Sequence, residues 1–512
     1  MRALAAISVV AVVVLGGCAD TARNTDADTG ETAAGDGATV TQEAVRESQR
    51  PGDKSWRKAR GRADNPQAMA AYADKPSALP GEPVSLHVST TAKTYRVIAY
   101  RMGYYGGAEA RRVWRSTPLP GQQQTGTGFD EELRMPYATW TESVQLDTAT
   151  WPGGSYLLRL VGDNGAEWLV PLVLRDRDPS GKLMLVIPDT TLQAYNTWGG
   201  RSVYTGPGGF ADRSRAVSYS RPYDKDAGSG WYLGLAQPVV RLAEQLDLPT
   251  TYVAASDLDT GAATMMGTEG VVMMGHDEYW TTKRRKDTEA ARDSGTDLAF
   301  LGANTMYWRT RVATGAAGLP QITVYKDAGE DPVSGKKTTV RFRDEPAGEA
   351  ERSLIGMDYE CYPAKGTYAV VDPEFFLFRG TGVRSGDRLA GIVDIEADRA
   401  YPLPGTPKNL QLVANNPTDC GGAATVSNST YYTVESGAGV FATGSIGWVN
   451  RALRGFPNGH PLRPPRESTE FVETVTSTLL TEMAAGPMGA KYPAVGNIDQ
   501  FDLPATNTTG SA

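Results

Sequence analysis

The run Leu183-Met184-Leu185-Val186-Ile187 decides how the middle of this 512-residue chain folds. Five consecutive apolar residues leave no polar face, so the stretch reads as a strand buried on both sides, the kind found in a parallel sheet covered by helices. Working outward, 239–246 has helical spacing, 251–254 and 270–274 read as strands, 281–294 as a charged amphipathic helix and 297–301 as a further strand. Strand–helix–strand alternation at these intervals predicts a largely parallel α/β domain over 178–486. Residues 340–450 return to strand-like runs, and 470–483 set Phe471, Val475 and Leu479 on one helical face.

Upstream the rhythm differs. Residues 83–88 alternate apolar and polar, 95–101 reads as a second strand, and 155–161 and 168–174 flank Asn164-Gly165, a strong hairpin signal. Short strands without a helix over 66–177 predict an all-β immunoglobulin-like sandwich. Residues 19–65 lack an apolar period and read as a disordered tether, and 487–512 as a C-terminal tail.

The first 18 residues carry Arg2, an apolar stretch over 3–15, and Leu15-Gly16-Gly17-Cys18. The stretch is short for a bilayer span and reads as a signal peptide. Its end resembles a bacterial lipobox, with Cys18 as the lipidated residue. The expected location is the outer face of the cell membrane, with the lipid as the only membrane contact. Cys361 and Cys420 then remain as an even pair in an oxidising compartment, which favours a disulfide between them. A net charge of −8 gives no electrostatic footprint for nucleic acid.

In an open parallel sheet, ligands bind beyond the carboxyl ends of the strands. Three strands lead there to QAYNTWGG (193–200), GHDEYW (275–280) and GANTMYW (302–308). Nucleophile-elbow, zinc-protease and P-loop motifs are all missing. With three histidines in the chain, His87 on the polar face of a strand and His460 in a Pro-rich loop, a His-rich zinc site is excluded. The remaining donors are carboxylates and tyrosines, hard oxygen ligands that suit a hard cation. Because a free phenol has a pKa of about 10, tyrosine coordination needs a strongly acidifying metal.

Together with RMGYYGG (101–107), SRPY (220–223), GTGVRSGD (380–387) and DIEADR (394–399), these motifs resemble the family of the N,N-dimethylformamidase large (beta) subunit, in its C-terminal portion. The resemblance implies a fold of the class I glutamine amidotransferase type without the catalytic cysteine. It also implies amide hydrolysis at a mononuclear ferric ion held by two tyrosines and one glutamate. Carried across, it makes Tyr195 and Glu278 metal ligands and Tyr223 the second tyrosine, ahead of Tyr219 or Tyr279. His276 stands beside Glu278, and Asn304 positions substrate or the attacking water. Glu396 is a candidate general base, with a structural pairing to Arg399 as the alternative. Trp198, Trp280 and Trp308 either wall a tight pocket or belong to the core.

The family's amidase is intracellular and works with a small partner subunit, whereas this chain carries an export signature. The expected function is iron-dependent hydrolysis of an amide or other C–N bond of a small-molecule substrate at the cell surface. The alternative is a non-catalytic surface protein that uses the same pocket for a polar or carbohydrate ligand. Self-association is left open.

Overall fold

The apolar run at 183–187 is the strand next to the edge of a nine-stranded sheet in the computed structural model, which describes residues 46–57, 65–315 and 318–507. The expected export segment with Cys18, and residues 19–45 and 58–64 of the expected tether, lie outside the described residues. The strands of this sheet are, in chain order, β1 (Leu183–Ile187), β2 (Thr250–Ala254), β3 (Gly270–Gly275), β4 (Asp297–Gly302), β5 (Asp358–Ala369), β6 (Arg388–Arg399), β7 (Gln411–Cys420), β8 (Ala423–Thr433) and β9 (Gly439–Ala442). Their spatial order is β2-β1-β3-β4-β9-β8-β7-β5-β6.

The reason for the unbroken apolar run is visible on the two faces of β1. Leu183, Leu185 and Ile187 share a core with helices α1 (Gln237–Gln245) and α3 (Arg466–Ala484), whereas Met184 and Val186 pack on the side of α2 (Thr282–Asp293). Each of these side chains contributes about 1.5–3 kcal/mol by leaving water, so polar residues are excluded from both faces.

The expectation of a largely parallel, glutamine amidotransferase-like α/β fold is overturned. Only β2, β1, β3, β4 and β9 run parallel. From β9 onward β8, β7, β5 and β6 pair antiparallel. Four smaller sheets, mainly antiparallel, complete the described residues, and strand exceeds helix by 33% to 22%. Crossover helices impose parallel pairing on 183–302; beyond 358 the strands return through short turns such as Gly421-Gly422, which impose antiparallel pairing.

Residues 69–174 hold one sheet of three strands and one of six, closing on a shared core that includes Leu86, Val97, Leu158 and Trp168, and a two-stranded ribbon of Thr127–Asp130 with Met135–Ala138. The Asn164-Gly165 turn joins Gly154–Gly162 to Glu167–Leu174. These sheets are tied to the main sheet by a buried Arg101–Glu244 ion pair of 2.7 Å and a Ser155–Tyr232 hydrogen bond of 2.7 Å. The described residues from Arg46 onward form one compact unit. Two stretches read as loose are docked: Trp56 is buried and donates to the Ala108 carbonyl, and Asn497 accepts from the Leu412 amide at 2.7 Å. Cys361 and Cys420 are disulfide-bonded, with Cα atoms 5.8 Å apart, between β5 and β7. No described helix is long and apolar enough to cross a membrane.

Candidate functional site

β3 and β4 end at paired glycines, Gly275 and Gly302. Gly275 has φ +68, and a Cβ there would meet the Leu235 carbonyl at 2.7 Å; a Cβ on Gly302 would collide with the Gly275 carbonyl. Only glycine lets the two strand ends approach so closely, and GHDEYW and GANTMYW therefore leave the sheet side by side. Within GHDEYW the acidic pair divides. Asp277 turns inward and receives both terminal nitrogens of Arg284, whose guanidinium lies 3.9 Å from the Trp280 ring centroid. Trp280 Nε1 donates to the Asp277 carbonyl at 2.8 Å. Glu278 is fully buried, with its amide donating to Thr191 Oγ1 at 2.9 Å, and its carboxylate lines a cavity of 870 Å³.

Two phenols converge on that carboxylate. Tyr195, at the end of the helix Asp189–Ala194 that follows β1, donates to Glu278 Oε2 at 2.8 Å. Tyr204 donates to Oε1, and the two hydroxyls are 3.3 Å apart. Tyr204 is held there by the chain just before it: buried Val203 donates its amide to the Ala194 carbonyl at 3.3 Å, which brings the Tyr204 ring 4.8 Å from that of Tyr195. On the other side His276 Nε2 lies 3.4 Å from Glu278 Oε2 and 3.5 Å from Glu396 Oε2. Glu396 reaches the cavity from β6 through an irregular stretch in which Ile395 adopts φ +72. A β-branched residue with positive φ is a strained conformation, and a bulge of this kind re-aims the following side chain. Asn304, itself at φ +55, is anchored by its amide on Asp398 Oδ1 at 2.8 Å.

The electrostatics follow from burial. It drives both phenols well above 10, and the negative charge of Glu278 drives them further, so Tyr195 and Tyr204 are protonated donors. Burial also raises Glu278, but His276 and Lys326 outweigh it and hold this carboxyl below its ordinary value. His276 shows the reverse balance: burial lowers it, the flanking carboxylates raise it, and the outcome is about 9. Glu396 is pushed up to about 7, chiefly by burial, with His276 opposing and Glu278 reinforcing. Burial holds Lys326 well below its ordinary value; its ammonium lies 3.6 Å from the Tyr204 ring centroid and donates to Tyr279 Oη at 2.7 Å. Three buried polar atoms facing this space, His276 Nε2, Asn304 Oδ1 and Glu396 Oε2, lack an aligned hydrogen-bond partner among the described residues.

Tyr195, His276, Glu278, Asn304 and Glu396 thus line one cavity. Tyr223 lies elsewhere, in a separate pocket of 40 Å³ with Asp189, Gln193, Tyr219 and Arg221. Tyr219 is bonded to Asp189, and Tyr279 sits behind Tyr195, edge-on at 6.4 Å. The second phenol on Glu278 is instead Tyr204, which no sequence motif singled out. The alternative role for Glu396 also falls away, since Arg399 pairs with Glu360 at 3.5 Å. Of the three tryptophans only Trp308 lines the cavity. Trp280 is core, and Trp198 packs edge-on against Trp140. Trp231, missed in the sequence, takes a place on the wall.

Among the described residues no three His, Cys, Asp or Glu side chains gather as metal ligands; the two phenols complete a three-oxygen set with Glu278. That donor set, all hard oxygen and enclosed, fits a hard, strongly acidifying cation. Fold and site together define a β-rich protein with a buried tyrosine–glutamate centre and an adjoining histidine–glutamate pair. The profile of the N,N-dimethylformamidase beta subunit-like, C-terminal family matches residues 96–459, and the chain belongs to that family. No curated protein sequence matches the chain. Among solved structures, a Paenibacillus sp. cycloisomaltooligosaccharide glucanotransferase complexed with cycloisomaltoheptaose is 10% identical, with a TM-score of 0.15, over 51% of this chain and 34% of that one. A likeness of that size carries no argument about fold or activity.

Proposed function

We propose that this chain is a hydrolase of an amide C–N bond, acting at a ferric ion held by Tyr195, Tyr204 and Glu278. The observation that carries the reading is the convergence of two phenols on one buried carboxylate beside the His276–Glu396 pair. Family membership is consistent with a hydrolase. The chemistry such an ion supplies when bound is Lewis acidity, which polarises a carbonyl oxygen and acidifies water.

The rest falls to the chain. Glu396, with its pKa near 7 and an oxygen that lacks an aligned hydrogen bond facing the cavity, is suited to general base work at neutral pH. It takes a proton as the water oxygen bonds to the carbonyl carbon. It returns that proton to nitrogen as the C–N bond breaks, so that a carboxylic acid and an amine leave. His276, protonated below about 9, holds the two carboxylates in place. Asn304 Oδ1 is open to an N–H of the substrate or to the attacking water. Trp308 fixes Tyr204, its indole N–H lying 3.3 Å from the phenol oxygen.

The proposed location is the outer face of the cell membrane. Support comes from Leu15-Gly16-Gly17-Cys18 and from the Cys361–Cys420 disulfide, which suits an oxidising compartment. The test of function is amine release from a panel of amides by iron-reconstituted protein. Wild-type turnover that disappears in Glu278→Gln supports the hydrolase; amide binding without turnover in the iron-loaded wild type overturns it.

A further inference from the structure

The cavity is much larger than its reactive corner. At 870 Å³ it falls within the range of sites that enclose drug-sized ligands, roughly 300–1,000 Å³. A one-carbon amide, with a handful of heavy atoms, would leave most of it filled with water. Away from Glu278 and Glu396 the wall is mostly aromatic and aliphatic, including Trp231, Leu235, Tyr307, Tyr359, Tyr362 and Ile446, with Asp394, Asn450 and Arg451 as a polar patch. The Trp231 ring lies 5.0 Å from Tyr195, so an aromatic surface begins at the reactive corner itself. Tyr307 and Tyr359 form a second pair at 5.0 Å.

At the mouth Tyr362 is 67% exposed. A single exposed aromatic is ordinary; what distinguishes Tyr362 is that it continues the cavity wall on a braced piece of chain. It lies in the irregular stretch of β5 between Cys361, disulfide-bonded to Cys420, and Ala364, paired in register with Cys420. Fixed aromatic surfaces of this kind bind flat apolar groups with little loss of side-chain freedom.

Charge narrows the class further. Arg451 is committed to Asp394 at 2.5 Å and to Asn450 at 2.9 Å, and His276 lies between two carboxylates. The wall therefore holds no uncommitted cation among its described residues, and its carboxylates Glu278, Glu396 and Asp394 are each matched by His276 or Arg451.

We infer that the substrate is an uncharged amide with a planar aromatic substituent on its carbonyl carbon or nitrogen. The amide sits at the Tyr195–Glu278–Glu396 corner and the ring against Trp231 and Tyr362. The inference rests on the hydrolase reading for its chemistry, but the binding it requires is measurable without turnover. Isothermal titration with benzamide, formanilide and N,N-dimethylformamide should give at least tenfold tighter binding for one or both aryl amides. Trp231→Ala and the surface substitution Tyr362→Ala should each erase most of that preference. Aryl binding no tighter than that of dimethylformamide overturns the inference, and dimethylformamide turnover would still leave the hydrolase reading standing. An aryl preference that survives both substitutions overturns it as well. Tight aryl binding lost in the two variants, but with no turnover, supports the aryl amide as the ligand of this cavity and removes the hydrolase reading instead.

Discussion

Replacing Arg284 by methionine tests what holds GHDEYW in shape. Arg284 and Asp277 are both fully buried, joined by two charge-assisted hydrogen bonds, with the guanidinium stacked on Trp280. Methionine fills a similar volume but leaves the Asp277 carboxylate unpaired in a dry interior. Removing one partner of a buried pair costs about 3–5 kcal/mol, and the lost stacking adds about 1–2 kcal/mol more. Asp277→Asn/Arg284→Met removes the stranded charge, so the double variant should be more stable than Arg284→Met by at least about 2 kcal/mol. The assay is urea unfolding of the three proteins in one buffer, followed by tryptophan fluorescence. The reasoning is refuted if Arg284→Met loses under about 1 kcal/mol or if the double variant is no more stable than the single one.

Further outcomes follow from the site and the disulfide. The kcat/KM profile should rise with pH through about 7, as Glu396 loses its proton, and fall through about 9, as His276 loses its own. Glu396→Gln should remove the lower limb and lower kcat by roughly a hundredfold to ten-thousandfold; a lower limb that persists assigns it to another group. Cys361→Ser/Cys420→Ser opens a loop of 59 residues, which should cost about 4 kcal/mol in urea unfolding; a loss under about 1 kcal/mol would show that the sheet alone fixes this edge. Burial raises Asp259, Glu351 and Asp398 to about 7 and Asp297 to about 8. Raised carboxyls bind more protons folded than unfolded, so their contribution is fully present at pH 4 and lost as pH rises toward 8. Stability should decline over that interval, and Asp297→Asn should flatten the decline above pH 6.

What the sequence disclosed follows from how each segment meets its surroundings. LMLVI, GVVMM and DLAFL were readable because strands covered by helices on both faces exclude polar residues altogether. The antiparallel half was not, because its buried positions include Ser427, Asn428 and Ser429, whose side chains hydrogen-bond to neighbouring strands and loops. A run of small polar residues carries no periodic apolar signal, so the direction of those strands was invisible. Glu278, His276, Asn304 and Tyr195 were legible because each follows directly on a recognisable strand or its helix. Tyr204 lies in the aperiodic loop SVYTGPGG, 74 residues before the glutamate it meets. Only the tertiary fold, through Val203 on Ala194, brings it there; Tyr223, in a more conspicuous motif, faces another pocket.

The central claim is that Tyr195, Tyr204 and Glu278 form an iron centre. Its most direct test is the iron content and visible spectrum of residues 46–512 after reconstitution with ferric ion. The account predicts about one iron per chain and a tyrosinate-to-iron charge-transfer band. That band should be diminished in Tyr195→Phe and in Tyr204→Phe and preserved in Tyr223→Phe. A folded protein that stays colourless and iron-free, or a band lost in Tyr223→Phe but kept in Tyr204→Phe, would contradict it.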